Sequence, residues 1–217
     1  MFSLAALIFW AIFEQAGSTI SLFADQLTDR TLPNDGAFNL FGWKINLGSP
    51  FPSAWFQSVN SLFVIVLAPV FAWLWVRLGD RQPSAPAKFV LGLVFLGLSF
   101  LLMAPAARLT VTHKVSPLWI VGLFFLQTVG ELCLSPVGLS TMPKLAPAKL
   151  VGLVMGIWFL AAALGNKLAG VFGSEFTSTD GNGLARFFLY QALWVLAATV
   201  ALLLCVPWVK KLMGGAR

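Results

Sequence analysis

Charge is scarce in this chain. Asp, Glu, Lys and Arg together make up 10% of its 217 residues, where soluble domains carry about 25%. Histidine is nearly absent: His113 is the sole example and falls outside the apolar runs. That argues against Ser-His-Asp, Cys-His and most His-containing metal chemistry. The only cysteines, Cys133 and Cys205, both sit inside apolar runs. They read as small buried hydrophobes rather than a disulfide or a metal pair. No Gly-rich phosphate loop and no metal-ligand cluster occurs. The chain is therefore not expected to be an enzyme, and no metal or cofactor is expected. An intramembrane protease is disfavoured on the same ground.

What the chain has instead is apolar length. Hydrophobic residues make up 59% of it, with a mean hydropathy of +0.86. Six candidate spans of roughly 18–23 residues stand out, at about 2–23, 54–76, 89–106, 118–139, 151–172 and 184–206. Each suits the ~20 residues a ~30 Å hydrocarbon core requires. The expected fold class is an all-α membrane protein, one bundle of six transmembrane helices over residues 1–217. The N-terminus has no positive n-region, and its first run carries Glu14, so residues 1–24 read as a true span rather than a signal peptide. The longest loop, 24–53, is rich in Asn, Asp, Gly and Pro; its Phe38–Trp43 piece suggests a short interfacial element.

The net charge of +6 does not point to nucleic acid, because the basic residues cap the spans. Arg77, Arg81, Lys88, Lys144, Lys149, Lys210, Lys211 and Arg217 fall on one side. Arg30, Lys44, Arg108, Lys114 and Arg186 fall on the other. The positive-inside bias puts the first set, and both ends of the segment, in the cytoplasm.

Asp25, Asp29, Asp35, Asp80, Glu175 and Asp180 lie in loops, leaving Glu14 and Glu131 inside spans. Lys167 is the one base clearly within a span, and it can snorkel to the outer interface. A charge at mid-bilayer depth costs roughly 2.5–3.5 kcal/mol even on lenient scales. The chain cannot neutralise both acids by itself. The acids are protonated, face water, or meet partners on another segment, and the imbalance suggests half of a larger assembly.

The polar positions have a pattern. Trp10, Glu14, Gly17, Ser18 and Ser21 fit one face of a continuous first helix, pointing into a bundle or cavity. Asn60, with Gln57 and Ser58 nearby, suits either a substrate amine or an interhelical hydrogen bond. Glu131, Ser135 and Gly138 share a face, and Pro136 is expected to break or kink that helix. Gly152 and Gly156 offer a small-xxx-small packing site. Trp158, inside its span, fits either a pocket wall or core filler; Ala162 and Asn166 share its face. At 1.5 Å per residue, Glu14 and Asn60 lie about 18–20 Å above the cytoplasmic edge, and Glu131 and Trp158 about 10 Å above it. Carriers place their binding sites near the midplane.

Taken in order, Phe9-Trp10, Phe13-Glu14-Gln15, Gly17-Ser18, Trp55 to Asn60, Glu131-Leu132 with Ser135-Pro136 and Gly138-Leu139, and Gly156 with Trp158-Phe159-Leu160 and Gly165-Asn166 form a recognisable set. The sequence resembles the proton-dependent oligopeptide transporters of the major facilitator superfamily, along the C-terminal six-helix half. The resemblance implies proton-driven uptake of di- and tripeptides by alternating access across the bacterial inner membrane, with protons as the coupling ion. It implies that Glu14 meets an arginine of the N-terminal half and responds to protonation. It also implies that Asn60 and Glu131 hold the peptide's amino terminus, and that Ser135 and Trp158 line the pocket. The expected partners are a peptide, membrane lipid and an N-terminal six-helix half, with no nucleic acid. The alternatives are a facilitator-type carrier of drugs or anions, or a fragment inactive without its other half.

Overall fold

A computed structural model of the chain describes residues 2–32, 37–40, 43–46, 48–174 and 180–212. Asp35, Phe41, Gly42, Glu175 and Arg217 lie outside the described residues, as do the side chains of Lys44 and Lys210. Among the described residues seven α-helices form: α1 (Phe2–Phe13), α2 (Thr19–Gln26), α3 (Trp55–Leu78), α4 (Ala85–Leu109), α5 (Leu118–Leu145), α6 (Val151–Ser174) and α7 (Gly181–Leu212). With α1 and α2 counted together, six segments among the described residues are long and apolar enough to cross a membrane. The chain is a helical, multi-pass membrane protein.

Two expectations about helix continuity are corrected. The first span is not one helix. A tight 3-10 turn, Glu14–Gly17, separates α1 from α2, and Ser18 leaves the helical region at φ −120° and ψ −88°. Gly17 disfavours helix, and the hydroxyls that follow compete for backbone carbonyls. Ser18 Oγ donates to Gln15 O (3.4 Å) and Ser21 Oγ to Ala16 O (2.9 Å). The single face expected from Trp10 through Ser21 is therefore interrupted at Glu14. The second correction is at Pro136. Leu118–Leu145 is one α-helix with both Pro136 and Pro143 inside it, so of the expected break or kink the break is absent. Proline removes one backbone donor, and neighbouring contacts hold a membrane helix through that loss.

The helices pack in pairs. α4 lies at the centre, against α7 on one side and α5 on the other; α1 packs on α6, and α3 leans on α5. Between lipid-soluble helices the apolar drive is weak, so close packing decides association. Glycines set the closest crossings. A β-carbon on Gly130 would sit 2.8 Å from Gly92 O, and one on Gly165 would sit 2.9 Å from Leu7 O. These two positions join α5 to α4 and α6 to α1. The expected packing pair Gly152 and Gly156 instead faces open space. Phe9, Phe23, Phe89, Phe100 and Phe188 are fully buried and fill the volume between helices. Phe23 and Phe100 both meet Phe188, at 5.8 and 6.0 Å between ring centroids.

At one end of the bundle the described parts of the 24–53 connection are tied down by backbone hydrogen bonds. Its expected short element is a hairpin, Ala37–Leu40 paired antiparallel with Trp43–Asn46. Asp29 N donates to Val115 O (2.8 Å) and Val115 N to Leu27 O (3.0 Å), tying this connection to the α4–α5 turn. Arg30 bonds Phe51 O and pairs with Asp25 at 2.8 Å. At the opposite end, Lys88 was expected in a loop. It is in the first turn of α4 and buried. Its ammonium lies 4.2 Å from the Trp75 ring and donates to Gln82 Oε1 (2.8 Å). Cation–π and hydrogen-bond partners make that burial tolerable. Of the cysteines, Cys133 is buried, but Cys205 lies exposed on the outside of the bundle.

Candidate functional site

The three residues of the sequence pattern that matter most come together. Asn60 on α3 lies beside the Glu131 carboxylate on α5, and Glu14, at the start of the 3-10 turn, is near enough for its charge to bear on Glu131. Both acids are half-buried. Neither takes part in an ion pair among the described residues.

The local geometry explains how Asn60 is aimed. Thr128 Oγ donates to Asn60 Oδ1 at 2.6 Å and also lies 2.8 Å from Phe124 O. With Oδ1 occupied as an acceptor, the amide must present its NH2 group to Glu131, which a carboxylate accepts. Thr128 is fully buried and stands one turn before Glu131 on α5. Sequence reasoning passed it over. The available signal was its i−3 spacing from Glu131, which places it on the same face.

α3 is held to the site by two further contacts. Gln57 Nε2 donates to Ser21 Oγ on α2 (3.0 Å), and Phe63 meets Phe125 on α5 edge to face at 5.6 Å. Phe56 is buried and Val59, Asn60 and Phe63 are half-buried on the face of α3 that meets the bundle, with Gln57 at its exposed margin. The rest of α3 is largely exposed, including Leu62, Ile65, Val66 and Trp73.

The depth of Glu131 along α5 is fixed by the residue before it. Gly130 allows α5 to press against Gly92 of α4, with Phe9 of α1 alongside. A larger side chain at either glycine would push α5 away from α4 and carry Glu131 with it.

Several polar groups on α1, α3 and α5 are only partly used. Glu131 Oε2, Ser135 Oγ and Trp10 Nε1 are buried without hydrogen-bond partners, while Asn60 has an NH2 group turned toward Glu131. Ser135 is half-buried, one turn beyond Glu131 on the same face. A carboxylate oxygen and a hydroxyl left open, with the Glu14 carboxyl nearby, form an acceptor-rich patch. Such a patch suits a proton or a cationic amine.

Trp158 stands differently from the others. It is 3% exposed, edge to face with Phe89 at 6.0 Å. Its ring lies directly over Gly138, whose added β-carbon would come within 2.6 Å of Cζ2. In this conformation Trp158 is packed between α4, α5 and α6, and Gly138 is the floor that admits it. Pro136 is exposed on α5. Lys167 and Asn166 are exposed on α6, away from the two acids in burial and without an ion pair among the described residues.

The sequence of residues 1–183 matches the model of the POT family. The chain belongs to the POT family. It is 40% identical over 219 residues to the peptide transporter YePEPT of Yersinia enterocolitica, covering 98% of this chain and 40% of that protein. It is 34% identical over 215 residues to a di-/tripeptide transporter of Lactococcus lactis subsp. cremoris, covering 99% of this chain and 41% of the other. Among solved structures it resembles the peptide transporter POT in complex with sulfate, with a TM-score of 0.81 at 38% identity over 98% of this chain and 40% of that one. A POT family transporter in complex with 5-aminolevulinic acid gives a TM-score of 0.81 at 28% identity, over 96% and 40% of the two chains. The chain thus spans about two-fifths of the length of the POT proteins it matches.

Proposed function

We propose that this chain forms the C-terminal six-helix half of a proton-coupled symporter of di- and tripeptides in the bacterial inner membrane, with both of its ends cytoplasmic. The observation that carries this reading is the Asn60–Glu131 contact, held by Thr128 and left with Glu131 Oε2 open. A peptide's amino terminus is an ammonium with three donors and no acceptor. Glu131 and Ser135 are acceptors at the spacing of one helical turn, and Asn60 keeps the carboxylate turned toward them.

Proton coupling follows from the same carboxylate. A buried acid without a counter-ion is expensive in lipid, so it is neutralised by a proton or by a cation. Proton and ammonium therefore compete for Glu131. Glu14, close enough to sense the Glu131 charge, passes that competition to the broken first span. The cations that answer Glu14 belong to the N-terminal six-helix half, which packs on the exposed faces of α3 and α6. Trp158, buried over Gly138, braces the α5 face that carries Glu131 and Ser135. No cofactor takes part beyond the coupling proton, and the chemistry is transport rather than bond-making.

The test is Glu131→Gln in the full-length protein, reconstituted in liposomes. Dipeptide uptake driven by an imposed pH gradient is expected to collapse. Undiminished concentrative uptake would sink the proposal. Competition of labelled dipeptide by unlabelled drugs or inorganic anions, stronger than by unlabelled dipeptides, would favour the other-substrate carrier instead.

A further inference from the structure

The α4–α7 pair carries a second feature that transport does not use. α4 and α7 run antiparallel, so the last turn of α4 and the first turns of α7 meet at the same edge of the membrane. Their closeness is visible at Gly181, where an added β-carbon would lie 2.6 Å from Ala107 O and 2.7 Å from Thr110 Oγ. Between the two helices lies a groove of about 210 Å³. Leu101, Ala104, Pro105 and Arg108 line it from α4, with Arg186 and Leu189 from α7.

The arrangement is graded by depth. The α4 lining residues fall at i, i+3, i+4 and i+7, one face of the helix. At 1.5 Å per residue the groove runs about 10 Å inward from Arg108 to Leu101. Its outer lip is two guanidiniums, and its floor is aliphatic. Arg108 and Arg186 are both exposed, and neither is in an ion pair among the described residues. The acid that begins α7 is occupied elsewhere: Asp180 accepts from Asn182 N and Gly183 N, each at 3.1 Å, as the helix cap.

We propose that Arg108 and Arg186 clamp the phosphate of an anionic phospholipid whose acyl chain lies in the α4–α7 groove. Charge complementarity selects the occupant. Arginine's fixed fork matches phosphate oxygens with two parallel hydrogen bonds, and two such forks favour a net anionic headgroup over a zwitterionic one. Basic pockets between membrane helices recognise anionic lipids in this way. The trench below has only apolar walls, which fits an acyl chain and excludes a free phosphate as the better occupant.

The test is native mass spectrometry of the purified full-length protein after exchange into detergent with phosphatidylglycerol or phosphatidylcholine. The parent protein is expected to retain phosphatidylglycerol and not phosphatidylcholine. Arg108→Gln with Arg186→Gln should lower phosphatidylglycerol retention at least tenfold. Lys114→Gln, which removes a cation at the same edge but outside the groove, should leave it unchanged. Equal retention by the double variant, equal retention of phosphatidylcholine by the parent, or an equal loss in Lys114→Gln would each overturn the site.

Discussion

Thr128→Val isolates the contact that aims Asn60. Valine matches threonine in shape, so the change removes a hydroxyl and opens no cavity. Phe124 O keeps its role as a helical acceptor, and the loss falls on Asn60 Oδ1, which faces a methyl group in place of its 2.6 Å donor. Released, the amide can rotate and turn its oxygen toward Glu131, which repels it. Interhelical hydrogen bonds in membranes are worth about 0.6 kcal/mol on average and up to about 1.7 kcal/mol. At about 1.4 kcal/mol per tenfold, that is a weakening of roughly 3- to 16-fold in apparent dipeptide affinity. The assay is dipeptide uptake by the full-length carrier in proteoliposomes, with KM and Vmax separated. KM should rise by that factor while Vmax changes little. Thr128→Ser, which keeps the hydroxyl, should restore KM. If Val and Ser behave alike, Thr128 is only a packing residue and the aiming argument fails.

Two further outcomes follow from geometry and charge. Gly130→Ala places a methyl group 2.8 Å from the Gly92 carbonyl, a backbone atom that cannot swing aside, so α4 and α5 must separate. The detergent-solubilised protein should melt at a lower temperature, with a loss of order 1–3 kcal/mol; unchanged melting would show that the crossing is loose. Asp29, in the connection after α2, accepts from Thr31 Oγ (2.7 Å) and Thr31 N (3.1 Å), which together hold its carboxyl below the usual aspartate range. A lowered folded pKa contributes stability above the unfolded value and loses it as pH falls through the folded value. Thr31→Ala should move the Asp29 titration upward toward 3.8, read from its carboxyl shift by NMR.

Much of the architecture is legible because bilayer thickness imposes it. Apolar runs of the required length had to become spans, and α3, α6 and α7 lie close to the expected positions. The helix starts moved where a charge looked like a boundary: Lys88 is buried in α4 because Trp75 of α3 and Gln82 receive it, a contact no spacing rule reveals. The Asn60–Glu131 meeting was legible only through the family resemblance, since helical rise alone set the two residues about 10 Å apart in depth. Thr128 was not, because a threonine bonding its i−4 carbonyl is an ordinary membrane-helix feature. Helix breaks went to the wrong place for a related reason. Proline is a conspicuous signal, but Pro136 only forfeits one donor. The cluster Gly17-Ser18-Thr19 is quieter, yet it combines weak helix propensity with hydroxyls that capture carbonyls. Packing glycines were likewise ambiguous: Gly152 and Gly156 have the motif spacing and face open space, while Gly92 and Gly130 carry a close backbone crossing.

The central claim is that Glu131, aimed by Asn60, receives a peptide's amino terminus. It is tested most directly by measuring binding of a dipeptide and its N-acetylated form to the full-length carrier and to its Glu131→Gln variant. Acetylation removes the positive charge and two of the three donors without altering the rest of the peptide. The parent protein should prefer the free amine by at least tenfold, and Glu131→Gln should erase most of that preference. Equal binding of both forms by the parent, or a preference undiminished in Glu131→Gln, would contradict the account.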